Sequence, residues 1–373
     1  MSTTLGFYVI KKKFQKYYCW PSNHWYIGIG AIILVALNTI WAFYPLLVEF
    51  MNYQANFSKC LFHMQYVMTG ALIMSGCIQA LQYRNKMFEM INFLSDFNQF
   101  GTPQGLEVVE RKIKNVLKII HWSAYFIAYV VTYFTLLDDN CATFKTIKHC
   151  LILVYYVPFQ LKPLNMTLLL LFQIYTIEIL TNIIFVTTVM YCYSLQLLII
   201  RIEHLNEKID GITLTRNKER NFRMLRPIIM YHQDIFRMFQ FSNDVYTNLI
   251  VPQKLFALCI LTLSTTSFFM GKDIASLASA IATWFGLFLS HAMGQKLTTA
   301  GDSVANAVYN LNWCDADVVT RKQVLTLLYL SQHPFTIRVP LFGEMSHAAA
   351  VQELKKVYLF INSLLAIKKN NNF

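Results

Sequence analysis

Tyr309-Asn310-Leu311-Asn312-Trp313 opens the stretch that decides how this chain is read, and the stretch runs on to Leu365. A charged joint follows, with Asp315, Asp317, Arg321 and Lys322. Then comes an apolar run, Val324 to Leu330, that stops at Ser331-Gln332-His333-Pro334. After Phe342-Gly343 lies a last helix-forming segment, Met345 to Ile367. Gln352, Glu353, Lys355, Lys356, Asn362 and Ser363 interrupt it, so it cannot face lipid all round. Polar groups at membrane depth are costly unless they face protein or a water-filled cavity. Leu354, Tyr358, Ile361 and Leu365 recur at i, i+4, i+7 and i+11, the spacing of one helical face. Such a helix suits a water-filled pore narrowed by an apolar ring. It would also suit the surface of a soluble core, and the rest of the chain has to decide between the two.

The rest decides for a membrane. The 373 residues are 55% hydrophobic and only 14% charged, with a mean hydropathy of +0.40. A soluble domain carries roughly 25% charge, so this chain has too little to solvate a globular surface. The 29 Phe and 21 Tyr fit lipid-facing spans with aromatic belts. The net charge of +12 sits in connectors between apolar runs, with no phosphate loop and no zinc-like cysteine spacing. It reads as an orientation signal, and a nucleic-acid partner is not expected.

Residues 1–25 form an interfacial segment: Lys11, Lys12, Lys13 and Lys16 interleave with Phe7, Tyr8, Phe14, Tyr17, Tyr18 and Trp20. The segment lacks the form of a cleaved signal. Six apolar spans follow within 26–295. They cover Tyr26 to Val48, Cys60 to Tyr83, Ile119 to Leu137, Leu164 to Ile200, Leu255 to Gly271 and Ile274 to Gln295. The fourth is long enough to tilt or protrude, and the fifth reads as extended backwards by an amphipathic helix from Phe222. The closing segment is the seventh span. The expected fold is therefore an all-α membrane protein of seven transmembrane helices. Residues 296–340 hold the charged joint and the short apolar run, and residues 341–373 hold the seventh span and a tail.

Most of the 32 Lys and Arg residues fall in 1–25, 84–118, 200–245 and 296–340. By the positive-inside rule the N-terminus is cytoplasmic and the C-terminus extracellular. The sequons at Asn56 and Asn165 fall on or beside the outer loops this orientation gives, which makes both glycosylation candidates. The eight cysteines form no CxxC pair and read mostly as small buried residues. Cys141 and Cys150 lie in an outer loop, where a disulfide and two free thiols both remain open. The apolar run Leu151 to Phe159 in that loop is too short to span and reads as a lid.

Taken together, the spans, the inward N-terminus, the Tyr309…Trp313 pair, the Ser331-Gln332-His333-Pro334 turn, Phe342-Gly343 and the closing helix around Tyr358 resemble the insect odorant receptors. His333 stands where that turn more usually carries arginine. The related gustatory receptors close with a Gln-Phe that is absent here, which favours the odorant branch. The connector Arg201 to Asp244 lacks the long insertion of the co-receptor, Orco. The resemblance thus implies a ligand-tuning subunit that pairs with Orco in a heterotetrameric cation channel. It also implies that residues 296–340 form a cytoplasmic helical anchor segment with the first half of a split seventh helix, whose second half lies in 341–373 and lines the pore. The subunit would sit in the plasma membrane of sensory neuron dendrites and need no cofactor.

The resemblance also implies site residues. Ile361 and Leu365 match gate positions, with Tyr358 one turn earlier, and Leu364 matches a polar selectivity position of the co-receptor. An apolar constriction dewets and blocks ions until it widens; helix packing is the alternative role for all of them. The implied pocket lies in the outer halves of the bundle. Span two offers Met68, Thr69 and Leu72, and span three Phe126, Tyr129, Val130 and Tyr133. Span four offers Gln173, Ile174, Ile177 and Thr181. Span five adds Phe268, and span six Ala280, Thr283 and Trp284. Glu178 is the one acid inside span four, either functional or held neutral by burial.

No Ser-His-Asp set or metal-spaced cluster appears, so an enzyme is not expected. The other classes weighed are a seven-helix gustatory-type or G-protein-coupled chemoreceptor, and a transporter; no inverted repeat supports the last. The pocket candidates hold aromatics and neutral polar groups but no Lys or Arg. A carboxylate would be desolvated there without a countercharge. Aromatic walls favour flat rings, and apolar burial supplies most of the affinity. The expected ligand is a small neutral volatile, an aromatic alcohol or heterocycle ahead of a long-chain ester.

Overall fold

A computed structural model describes residues 57–119, 163–271 and 274–370, with isolated positions between 8 and 37 and at 122; for 163–186 it describes the backbone alone. Spans one and three, the lid and the loop cysteines therefore lie outside the described residues, as does the turn at Lys272-Asp273. The described chain is helical almost throughout. Its helices are α1 (Phe57–Gln82), α2 (Arg84–Ser95), α3 (residues 106–119), α4 (Pro163–Asp210), α5 (Lys218–Gly271), α6 (Ile274–Tyr309), α7 (Val318–Ser331) and α8 (His347–Asn370). A two-residue hairpin, β1 (Arg338–Val339) with β2 (Gly343–Glu344), separates α7 from α8.

The lengths carry the first message. α4 has 48 residues and α5 has 54. At ~1.5 Å per residue they run about 72 and 81 Å, more than twice a ~30 Å hydrocarbon core. The long fourth span is thus one helix that continues well past its apolar part. The amphipathic stretch from Phe222 and the fifth span are one unbroken helix. α6 likewise passes through Gln295 and on to Tyr309. Among the described residues, the helices at 218–271 and 276–315 are long and apolar enough to cross a membrane.

The protruding ends pack into a dense core. On α5 the buried positions Leu225, Ile228, Ile235, Met238, Val245 and Leu249 follow a three-to-four spacing. They meet α4, where Leu195, Leu197, Leu198 and Ile199 are buried on every side of the helix. One pair of buried hydroxyls in this core is satisfied internally: Ser194 Oγ lies 2.7 Å from the Tyr246 hydroxyl, and Ser194 donates to the Met190 carbonyl at 2.9 Å. Burial pushes the Tyr231 phenol up to about 12 and holds the His232 imidazole below its ordinary range.

Two polar devices fix the helix joints. Arg201 is buried, and its Nη2 donates to the carbonyls of Leu94 at 2.9 Å and Asp96 at 2.7 Å while its guanidinium lies 4.1 Å from the Phe97 ring centre. One charged side chain thereby satisfies the orphan carbonyls that end α2. Proline inside a helix leaves the carbonyl four residues earlier without its N–H. Pro252 does this to Asn248, and Gln79 Nε2 of α1 supplies the missing donor at 2.8 Å. The repair ties α1 to α5, the helix pair in most extensive contact among the described residues.

The stretch that opened the sequence reading builds the base of the bundle. Asn312 exchanges two 2.9 Å bonds with the Leu214 backbone, so a side-chain amide acts as a strand partner for the α4–α5 connector. Trp313 Nε1 donates to the Tyr309 carbonyl at 3.2 Å. Asp317 caps α7, accepting from the Val319 and Thr320 N–H groups at 2.9 and 3.1 Å and from the Thr320 hydroxyl. That hydroxyl, with the backbone donors and Asn221, holds its carboxyl below the usual carboxylate range.

At the other end of α7, Ser331 Oγ donates to the Leu328 carbonyl, and Pro334 follows where the helix has stopped. Phe335 then turns inward. It lies edge-on to His232, Phe236 and Phe239 and presses on Gly301 of α6, where a Cβ would come within 2.7 Å of the ring. Gly343 turns the hairpin with φ 78°. Cys192 and Cys259 are free and half-buried and Cys314 is free and exposed, so Cys314 departs from the expectation of buried cysteines.

Candidate functional site

α8 contacts the rest of the chain along a single stripe. Val357 and Ile361 are buried against Leu261 of α5 and Ala280 of α6, with Leu258, Leu287 and Leu365 packed around them. Glu353 continues the stripe at the N-terminal end. The helix face read from the sequence is thereby divided. Ile361 and Leu365 turn toward α5 and α6 together with Val357, whereas Leu354 and Tyr358 are exposed. The physical reason is spacing. Glu353, Val357, Ile361 and Leu365 are four apart and stay on one face of a 3.6-residue helix, while Tyr358 lies about 100° away from Val357. Leu364 is half-buried at the edge of the stripe.

Outside that stripe the helix is uncovered. Tyr358, Leu359 and Phe360 are 63, 64 and 59% exposed, and Gln352, Lys355, Asn362, Ser363 and Ala366 are exposed beside them. Three large apolar side chains beside a polar face make this side of α8 an unpartnered surface among the described residues.

A charged cluster closes the N-terminal end of the stripe. Lys254 Nζ of α5 lies 2.6 Å from Glu353 Oε1, and His291 Nε2 of α6 lies 3.1 Å from Glu353 Oε2. All three residues are buried. The sequence reading took Glu353 only as a polar interruption and missed the cluster. Its signal was available: Lys254 beside an apolar span, His291 inside another and Glu353 on the closing helix are ionisable groups at membrane depth.

The outer candidates are distributed as follows. On α1, Met68, Thr69 and Leu72 are half-buried, and Thr69 donates to its own helix at the Gln65 carbonyl. Thr283 is likewise back-bonded, to the Ser279 carbonyl. Phe268 pairs with Phe269 at 5.7 Å. Ala280 sits in the α8 stripe. Trp284 is 41% exposed and stacks on Phe288 at 5.5 Å, so it lies at the surface of the described chain. A buried polar group that the sequence reading missed joins α1, α5 and α6: Ser276 Oγ donates to Gln65 Oε1 at 3.3 Å and lies 3.2 Å from Ser267 Oγ.

Gln173, Ile174, Ile177, Thr181 and Glu178 lie on α4 where only backbone is described. Asn165 falls in the first turn of that helix, which Pro163 opens in the position proline favours. Phe126, Tyr129, Val130, Tyr133 and Asn56 lie outside the described residues.

A family model described as 7tm Odorant receptor matches residues 56–355, well over half of the chain and the part that holds α1 through the start of α8. The chain belongs to the insect odorant receptor family. Relatives from Drosophila melanogaster agree. Putative odorant receptor 85d is 22% identical over 174 residues, 45% of this chain and 41% of that protein. Odorant receptor 85c is 22% identical over 183 residues, 47% and 46% of the two chains. The chain thus spans under half the length of the curated relatives it matches.

The insect olfactory receptor OR5 from Machilis hrabei shares the fold. The TM-score is 0.74 for that receptor and 0.72 for its complex with eugenol, each at 12% identity over 97% of both chains. This odorant receptor is therefore an all-α, seven-helix membrane protein, and its family is one of receptors and channels, not of enzymes.

Proposed function

We propose that this odorant receptor is the ligand-tuning subunit of an odorant-gated, non-selective cation channel, assembled with Orco as a heterotetramer in the plasma membrane. Its N-terminus is cytoplasmic and its C-terminus extracellular. The uncovered face of α8 is the observation that carries this reading. A helix held on one stripe, with exposed Gln352, Lys355, Asn362 and Ser363 opposite it, has the form of one stave of a water-filled pore. Exposed Tyr358, Leu359 and Phe360 are then covered by neighbouring subunits.

The gate is assigned to Ile361, Leu364 and Leu365. A residue that closes a ring on a symmetry axis is open in the lone subunit, whereas Ile361 here is seated against Leu261 and Ala280. The seated position is the withdrawn, conducting arrangement, and closure turns Ile361 toward the axis. Odorant bound among α1, α4, α5 and α6 favours the seated arrangement because two of those helices, α5 and α6, form the seat.

The ligand is a small neutral volatile. Eugenol, the ligand named with the Machilis receptor, is a neutral phenol and supports an aromatic alcohol here. Whole-cell recording with a matched phenol, aliphatic ester, carboxylate and amine tests the ligand class. The phenol is expected to be the most potent, and a more potent carboxylate or amine contradicts it.

A further inference from the structure

Lys254 is the only charged residue of α5 between Asp244 and Gly271, and the partners of its ammonium among the described residues belong to α8 and to the segment that delivers it. Nζ lies 2.6 Å from Glu353 Oε1, 3.5 Å from Met345 Sδ and 4.9 Å from the centre of the Phe342 ring. His291 of α6 takes the second carboxylate oxygen through Nε2 at 3.1 Å. The Lys254 ammonium and the Glu353 carboxylate carry opposite formal charges that face each other directly. The approach of this segment is close: a Cβ at Gly294 of α6 would lie 2.4 Å from the Met345 carbonyl oxygen.

Glu353, Val357 and Ile361 share one stripe at intervals of four. Glu353 therefore stands about 12 Å along the axis from Ile361 on the same face. Turning α8 far enough to bring Ile361 out of its seat pulls Glu353 from both partners at once. That leaves buried charges uncompensated, the costly way to break such a pair. Replacing the pair by apolar side chains leaves no such charge and keeps the fold, but it removes a directional contact that adds to the apolar stripe in fixing the rotation of α8.

We propose that Lys254, Glu353 and His291 form a rotational clamp that holds α8 with Ile361 seated, and so set the resting balance of the gate. They are positioning residues, and the link to gating rests on reading α8 as pore-lining.

The test uses the full chain co-expressed with the co-receptor, with Ile361→Cys as a reporter and N-ethylmaleimide as the probe. The chain without the reporter supplies the background from native cysteines. Rates are read without odorant and with eugenol present, and the intact clamp supplies the reference for the reporter in each condition. In Lys254→Met/Glu353→Leu it is expected to label at least about fivefold faster, and Glu353→Gln is expected to move the same way. The charge swap Lys254→Glu/Glu353→Lys is expected to return the rate to within about twofold of the intact clamp.

An apolar double variant that reaches the cell surface and labels as slowly as the intact clamp overturns the proposal. So does a swap that labels no more slowly than Glu353→Gln. Should Glu353→Gln fail to reach the surface, the swap and the apolar pair still decide. Odorant-free current in the same variants, made without the reporter, reads the consequence for gating. Labelling does not depend on conduction, so a wild-type chain that passes no current removes the channel reading and leaves the clamp to be judged on its own.

Discussion

His232 lies buried edge-on to the Phe335 ring, and its Nε2 has no hydrogen-bond partner among the described residues. Burial holds its folded-state pKa below the ordinary value of about 6.5. The native state then binds the proton less readily than the unfolded chain does. Its contribution is complete above about pH 6.5 and declines as the pH falls through that value toward the lower folded one. Thermal unfolding of the purified receptor is expected to become easier between about pH 7 and pH 5, and His232→Leu to flatten that dependence. An unchanged slope in the variant would contradict the assignment.

Gly301 gives a second prediction at the same scale. Its missing Cβ would stand 2.7 Å from Phe335 Cδ2. Gly301→Ala should cost about 1–3 kcal/mol by overpacking and lower the fraction of receptor that survives heating in detergent. Neither residue was legible in the sequence. Phe335 turns inward only because the Ser331-Gln332-His333-Pro334 turn reverses the chain, and the distance that makes position 301 a glycine spans 34 residues.

At the scale of elements, what could be read depended on where the partners lay. Apolar runs located α1 and α8 to within a few residues, together with the starts of α4 and α6; the ends of α4 and α6, at Asp210 and Tyr309, lie well beyond the apolar spans that stop at Ile200 and Gln295, because the helices run on where the apolar signal has ceased. The orientation of α8 about its own axis was not local. Sequence spacing placed Tyr358 with Ile361, whereas packing against Leu261 and Ala280 selected Val357 as the stripe's centre. Ile361→Ala should therefore weaken the α8 seat by about 2–5 kcal/mol and shift the odorant dose–response to higher concentration. Tyr358→Ala, on the exposed face, should instead act on assembly, read as loss of the co-receptor from a pull-down.

The cap of α7 makes a further test of this scale. Asp317 is held ionised by four donors. Its folded pKa is depressed, so its contribution is present above the ordinary carboxylate range near 4 and is lost as the pH falls through the lower folded value. Asp317→Ala should lower the melting temperature at neutral pH. The deficit should narrow in acid.

For the whole molecule, composition was enough to choose the membrane and the resemblance was enough to choose the family. Fourteen per cent charge cannot solvate a soluble surface, and the helices found are long, apolar and extended at one end into a packed base. The candidate pocket was far less legible. Aromatic residues at helical spacing serve packing and binding alike. The structure accordingly puts Ala280 in the α8 stripe and Trp284 at the surface, and it adds Gln65, Ser267 and Ser276, which no single-helix pattern connects.

Orientation follows from charge placement, and an epitope at Phe373 is expected to stain intact cells. Staining only after permeabilisation would reverse the topology. The most direct measurement of the central claim is current through excised outside-out patches from cells co-expressing this chain with the co-receptor. A panel of neutral volatiles would be applied without nucleotides in the pipette. Rapid cation currents that no volatile evokes from either chain alone are the expected result. Responses that disappear on excision and return only with guanine nucleotide would contradict a channel and place the chain among receptors that signal through a G protein.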